Sequence, residues 1–336
     1  MRNSFRTTFT VIAAMFVMVP LLANAADAPN PPNPYREDGW AKLPDGRKWG
    51  ATGAVDIDSD GRSVWVFERC GGGTCAGSNV PPIVKLDQSG NYLKSFGAGM
   101  FVFPHGIHVD RDGNVWVTDA QGKDGKGHTA VKFSPEGKVL LTLGKAGVAG
   151  AGEDTFNQPS DVVTAANGDI FVADGHGGES NARIVKFSKD GKFIKTWGKK
   201  GSGPGEFDTP HGLALDSKGR LFVADRSNNR VQIFDQDGKF LEEWKQFGRP
   251  SGIFIDANDT LYVADHASTP KNNPGFKRGV RIGSVRDGLV KVFVPGLGAE
   301  AETQIVGEGV AADAAGNVYW AETAAGMTVR KFIKKQ

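Results

Sequence analysis

The sequence predicts an all-β fold, a six-bladed β-propeller whose ring is closed by a strand from the N-terminal side. Three observations carry this prediction. One hairpin-like unit recurs six times at intervals of about fifty residues. Each unit is followed by further strand-like segments, giving the four strands of a propeller blade. Glycine is 46 of 336 residues, about twice the usual share, as a chain with many tight turns needs.

The six rows are AVDIDSDGRSVWVFER from residue 54, GIHVDRDGNVWVTDA from 106, DVVTAANGDIFVADG from 161, GLALDSKGRLFVADR from 212, GIFIDANDTLYVADH from 252 and GVAADAAGNVYWAET from 309. In each, two apolar runs flank a turn of Asp, Asn and Gly, the pattern of a β-hairpin. The aspartates Asp58, Asp110, Asp216 and Asp256 are turn formers. Third strands are expected at IVKLDQSG, AVKFSPEG, RIVKFSKDG, RVQIFDQDG, LVKVFVPG and TVRKFIKK, and fourth strands at NYLKSFG, KVLLTLG, KFIKTWG and KFLEEW. The last unit runs out after its third strand. An unpaired sheet edge is a liability, so a segment near Tyr35 to Leu43 is expected to supply the missing strand. Trp65, Trp116 and Trp320 lie on second strands and are expected to pack between blades.

The ends and the charge set the setting. Arg2 and Arg6 precede an apolar run from Phe9 to Leu22 that contains Pro20, and Ala23-Asn24-Ala25 follows as a small-x-small site. Residues 1–25 read as a secretory signal peptide, too short for a membrane span. Residues 26–34 (ADAPNPPNP) form a Pro-rich leader, and 35–336 form the propeller. Removing two arginines takes the 40 basic residues to 38, against 38 acidic ones. A neutral chain without a basic block gives no ground for a nucleic acid or membrane partner. Cys70 and Cys75 are the two cysteines; export to an oxidising compartment, secreted or periplasmic, favours a local disulfide over two free thiols.

One frame recurs just before the first strand of several units: Pro104-His105-Gly106, Pro159-Ser160-Asp161, Pro210-His211-Gly212 and Pro250-Ser251-Gly252. The matching place in unit six is Gly307-Glu308-Gly309. Residues before strand one and after strand two share one rim of a propeller's channel. His105, His211 and Glu308 therefore stand in alternate blades around the axis, with Arg69, Asp119, Asp174, His176, Arg226 and His266 on the same rim. Two imidazoles and a carboxylate form a catalytic zinc set with an open position; non-haem iron uses the same donors. The competing reading is that the histidines cap strand ends by hydrogen bonding. Arg69 and Arg226 either clamp a substrate carboxylate or pair with an acid such as Glu68 or Asp225. Of the other histidines, His176 is the better candidate for a role, ahead of His266. His108 packs toward a neighbouring blade, and His128 is expected in a solvated loop.

These residues carry a resemblance. Pro104-His105-Gly106-Ile107 with VDRDGNVWVTD, PSDV with FVADG and RIVKFSKDGKFIKTWG, and PHGL with FVADRSNNRVQIF resemble the NHL-repeat propeller of peptidyl-α-hydroxyglycine α-amidating lyase, over nearly all of 35–336. The resemblance implies zinc on His105 and His211, with Glu308 in place of the family's third histidine. It implies that Arg69 and Arg226 bind a small-molecule or peptide C-terminal carboxylate. His176, after Asp174-Gly175, stands where the family has a tyrosine base, and imidazole suits that task near neutral pH. The family's structural calcium uses an acid where Gly309 stands. The implied reaction breaks an α-hydroxyglycine N–C bond, giving an amide and glyoxylate. Two other readings stand beside this metal-dependent lyase. One is a non-catalytic propeller that binds a protein or ligand, with the basic, Pro-Gly-rich loop 266–287 as contact surface. The other is a calcium-dependent lactonase, for which no convincing carboxylate and Asn set is found.

Overall fold

A computed structural model describes residues 31–296, 307–323 and 329–335. The expected signal segment 1–25 and the first part of the leader lie outside the described residues. The strands in chain order begin with β1 (Tyr35–Asp38) and the first blade, β2 (Thr52–Ile57), β3 (Val64–Glu68), β4 (Ile83–Leu86) and β5 (Tyr92–Phe96). Blade two holds β6 (Pro104–Val109), β7 (Val115–Asp119), β8 (Thr129–Phe133) and β9 (Val139–Leu143). Blade three holds β10 (Pro159–Thr164), β11 (Ile170–Asp174), β12 (Arg183–Phe187) and β13 (Phe193–Trp197). Blade four holds β14 (Pro210–Leu215), β15 (Leu221–Asp225), β16 (Arg230–Phe234) and β17 (Phe240–Trp244). Blade five holds β18 (Pro250–Ile255), β19 (Thr260–Asp265), β20 (Gly279–Ser284) and β21 (Val290–Pro295). Blade six is β22 (Gly309–Ala312), β23 (Val318–Ala321) and β24 (Val329–Lys334), completed by β1. These make six antiparallel sheets of four strands each, the propeller that the repeats predict.

Ring closure follows the expectation. β1 pairs antiparallel with β24, from Tyr35 opposite Lys334 to Asp38 opposite Lys331. The Lys335 amide extends the ladder to Pro34 O at 2.7 Å. The two ends of the ring are thereby joined by backbone hydrogen bonds, which covers the edge of β24 and gives blade six its fourth strand.

The core lies in the seams between blades. One apolar cluster joins Trp65, Phe67 and Ile83 of blade one to Ile107, Val117 and Phe133 of blade two. Equivalent clusters fill the other five seams. Trp65, Trp116 and Trp320 are fully buried in these seams, as expected. The turns are held by their aspartates: Asp110 accepts from the amides of Asp112 and Asn114, and Asp216 from those of Lys218 and Arg220. Cys70 and Cys75 form a disulfide within the β3–β4 connection.

Two sequence expectations are corrected. LVKVFVP forms the fourth strand of blade five, β21, and the third is Gly279–Ser284, inside the segment 266–287 read as a loop. Val280 and Ile282 alternate inward there, but Gly279 and Gly283 weaken the apolar signal. His128 is buried rather than solvated; its Nδ1 accepts from the Gln158 amide at 3.3 Å. His108 does reach neighbouring blades, with Nε2 3.0 Å from Thr164 Oγ1 and Nδ1 3.6 Å from Asp56.

Candidate metal centre at the axial mouth

The site is built by a repeated irregularity. The first strands of blades one to five slip register at the position after their leading Thr or Pro, as between Pro104 and Ile107 and between Pro210 and Gly212. A β-bulge of this kind re-aims a side chain and frees it from the ladder. The bulge positions are Gly53, His105, Ser160, His211 and Ser251, and Glu308 precedes β22 at the equivalent place. The Glu308 amide donates to Ala321 O at 2.7 Å, which fixes its backbone beside the inner strand. Gly106 is required after the bulge, since a Cβ there would lie 2.6 Å from Asp161 Oδ1 and 2.7 Å from Ser160 O.

His105, His211, Glu308 and His176 converge. One ligand atom from each lies within 4.8 Å of all the others. His105 Nδ1 donates to Ser160 O at 2.6 Å, and His211 Nδ1 to Ser251 O at 3.2 Å. Each imidazole is thus oriented by the bulge carbonyl of the next blade, and its Nε2 lone pair points inward. A backbone carbonyl on the far nitrogen is the usual way a ligating histidine is held. The Nε2 atoms of His105, His176 and His211 are buried and make no hydrogen bond. Nε2 of His211 lies 2.9 Å from Glu308 Oε1, a close polar contact without hydrogen-bond alignment. Burial, then the neighbouring imidazole and arginine charges, push His105 and His211 down to about 3, so both are neutral. His176 is pushed well below its usual value, first by burial. His266, pushed down to about 4 by burial, stays outside the cluster, with Nδ1 3.4 Å from Ser251 Oγ.

Glu308 is the one anion of the cluster. Burial favours its neutral form, but contact with His211 and the field of the surrounding groups hold it well below the usual carboxylate range. Its Oε1 accepts from Arg226 Nη1 at 3.1 Å, and its Oε2 lies 3.9 Å from Arg69 Nη2. Both arginines of the predicted clamp therefore face Glu308. Neither pairs with the acids next to it in sequence: Glu68 is taken by Arg47 and Asp225 by Arg230. Arg69 stacks on Phe103, 3.7 Å from the ring centroid, and its Nε donates to Pro104 O at 3.2 Å.

Asp119 and Asp174 do not face the mouth. They are buried staples that accept from the segment leading into their own blade: Asp119 from the amides of Val102 and Phe103, Asp174 from that of Asn157. Asp174 also binds Arg183 at 2.8 Å. The residues that sequence reasoning missed are Ser160 and Ser251, whose role lies in the carbonyl and leaves no mark in the side chain, and Phe103, under Arg69.

The donor set suits a divalent transition ion. Neutral imidazoles are the metal-binding form, and three buried nitrogens without hydrogen bonds are costly unless something satisfies them. Nitrogen and oxygen donors fit zinc, iron and related ions alike. A calcium site with an acid after the third position has no such acid at Gly309.

The described residues define a six-bladed β-propeller with a His-rich axial centre. A profile described as NHL repeat matches residues 207–234, which hold the hairpin of blade four. NHL repeat-containing protein 3 of Mus musculus is 35% identical over 233 residues, covering 68% of this chain and 60% of that protein. A probable peptidyl-alpha-hydroxyglycine alpha-amidating lyase of Caenorhabditis elegans is 36% identical over 152 residues, covering 44% of this chain and 41% of that protein. The chain spans 54% and 60% of the length of the human and mouse NHL repeat-containing proteins that it matches. A gluconolactonase structure from Xanthomonas campestris superposes with a TM-score of 0.58 over 92% of this chain and 98% of that one; at 16% identity the likeness is one of fold.

Proposed function

We propose that this protein is an exported, metal-dependent lyase of the amidating-lyase type, cleaving the N–C bond of an α-hydroxylated carboxylate at the axial mouth. The observation that carries the reading is the convergence of three hydrogen-bond-free imidazole nitrogens and Glu308 within 4.8 Å. The similarity to an amidating lyase over part of the chain supports the reaction class. His105, His211 and Glu308 hold the ion, zinc or another divalent transition metal. When bound, such an ion supplies Lewis-acid chemistry, lowering the pKa of a hydroxyl placed beside it. Arg69, anchored on Phe103 and Pro104 O, orients a substrate carboxylate together with Arg226. Loss of the hydroxyl proton lets the carbon–oxygen bond become a carbonyl while the C–N bond breaks. The amide nitrogen leaves with its electron pair and takes up a proton, so one hydroxylated substrate yields one amide and one aldehyde acid. The Cys70–Cys75 disulfide supports an oxidising compartment.

A second reading draws on the engagement of both arginines by Glu308. Arginines already held from within suit a binding module, with the loop from 266 to 278 as a protein contact. The two readings separate in one assay. Metal content is measured on protein exported to the periplasm, and the protein is then incubated with an N-acyl-α-hydroxyglycine while glyoxylate is followed. About one ion per chain and metal-dependent glyoxylate release support the lyase; a bound ion with no turnover leaves the binding module.

A further inference from the structure

We propose that His176 is a direct metal ligand, so that the centre is a set of three imidazoles and one carboxylate drawn from blades two, three, four and six. The proposal rests on the reading of the cluster as a metal centre and reassigns the one residue that the resemblance implies to be a base. Three observations carry it.

The first is placement. The His176 ring lies 4.4 Å from that of His105 and 5.2 Å from that of His211, and the latter two are 4.7 Å apart, centroid to centroid. His176 closes a triangle of imidazoles instead of standing across from it. Donors about 2.1 Å from an ion lie about 3.4 to 4.2 Å apart, depending on the angle between them. A spread of at most 4.8 Å exceeds the tetrahedral spacing by about 1.4 Å, so a shared ion needs only small side-chain movements to draw the four together.

The second is the environment of Nε2. A base that takes a substrate proton faces the space that the substrate enters. His176 Nε2 is closed to solvent and has no hydrogen-bond partner, like the Nε2 atoms of His105 and His211. Three buried imidazole nitrogens without hydrogen-bond partners lie together, and a shared cation satisfies all of them. A single proton satisfies at most two.

The third is the scaffold. His176 sits between Gly175 at φ 152° and Gly177 at φ 117°, backbone that side chains rarely adopt. A Cβ on Gly175 would lie 1.9 Å from Asn181 O. The Gly175 amide donates to Gln158 O at 3.0 Å and the Gly177 amide to Ser180 Oγ at 2.9 Å, pinning both sides of the histidine. The sequence Asp174-Gly175-His176-Gly177-Gly178 thus builds a fixed bracket, as a first-coordination ligand requires.

Four protein donors fill a tetrahedral ion. If the centre also takes a substrate hydroxyl, its coordination number rises to five or six, which favours ions that accept that geometry. The test uses the whole mature chain, stripped of metal and reloaded with Co²⁺. Competition against a chromophoric chelator gives the affinity, and the visible d–d spectrum reports the coordination number. His176→Ala and His176→Gln are compared with wild type, with circular dichroism as a check on folding. We expect more than about 100-fold weaker Co²⁺ binding in both variants, beyond the roughly 10–100-fold scale of an outer-shell loss. We also expect the d–d bands to shift and weaken as water replaces the imidazole, reversed in His176→Ala by added imidazole. Folded variants with wild-type affinity and spectrum overturn the assignment of His176 while the lyase reading stands. Failure of the wild-type protein to bind any ion overturns both.

Discussion

Replacing Glu308 with glutamine keeps the shape and one acceptor but removes the charge that two buried guanidiniums share. Its side chain is 6% exposed, with those of Arg69 and Arg226 at 9% and 14%. At the effective dielectric that suits such sites, about 20, a pair at 3.1 Å attracts by about 5 kcal/mol and one at 3.9 Å by about 4. Desolvation of the carboxylate, several kcal/mol, offsets part of this sum. Removing one partner from a buried ion pair typically costs about 3–5 kcal/mol, because the other charge stays behind. The retained amide bond to Arg226 places Glu308→Gln near the lower end, about 3 kcal/mol. In a propeller of about 300 residues, with an unfolding entropy of about 0.63 kcal/mol/K, that lowers Tm by about 5 °C. The assay is thermal and urea unfolding of metal-free protein followed by circular dichroism, with Arg226→Gln and the double variant completing a cycle. A coupling energy above about 1 kcal/mol is expected for residues in direct contact. A Glu308→Gln protein within 1 kcal/mol of wild type refutes the idea that Glu308 is what makes the arginine pair tolerable.

Two further outcomes follow from the same geometry. Burial pushes the Asp161 carboxyl up to about 7, against the amides of Leu213 and Val162 that it accepts from. The folded pKa lies above the unfolded value of about 3.9, so the folded state binds the proton more tightly. This group's contribution favours folding as pH falls from about 7 toward 4 and is lost as pH rises through 7. Urea midpoints of wild type and Asp161→Asn, compared at pH 5 and pH 8, should show wild type gaining on the variant at the lower pH; a constant offset rules the shift out. Gly106→Ala should destabilise by about 1–3 kcal/mol, since its Cβ would press on Asp161 and Ser160 O, and should weaken metal binding by displacing the carbonyl that orients His105. A normal metal affinity in a destabilised Gly106→Ala protein would separate the bulge from the site.

The fold was legible because each blade repeats a hairpin with Asp and Gly at the turn, and six aligned rows leave few alternatives. Blade five shows where that signal fails. Its third strand carries only Val280 and Ile282 between glycines, and the stronger alternation of LVKVFVP drew the assignment one strand too far. The site was legible as a set of residues, because the position after the Pro repeats and its side chain changes from blade to blade. How the residues share it was not. The sharing of Glu308 by Arg69 and Arg226 joins blades one, four and six, and no local pattern announces it. Asp119 and Asp174 end their strands on the correct rim by sequence, yet they turn inward to hold the backbone, because unpaired amides at Val102, Phe103 and Asn157 need acceptors.

The alternation around the ring has a steric and a polar cause. Read by blade, these equivalent positions run Gly53, His105, Ser160, His211, Ser251, Glu308, a small residue followed by a large one three times over. Inner strands crowd together at a propeller axis, so six long side chains at one level do not fit, whereas three do. The small positions also contribute: Ser160 O and Ser251 O take the Nδ1 protons of the preceding blade's histidines. Ser160 Oγ meanwhile donates to Pro210 O at 2.6 Å, tying blade three to the bulge of blade four. A histidine in one blade thus depends on a compact residue in the next, whose backbone aims it. Serine and histidine in this frame are not interchangeable fillers of one role. They are the two halves of one device, the serine's carbonyl orienting the imidazole and the imidazole presenting its free nitrogen to the axis.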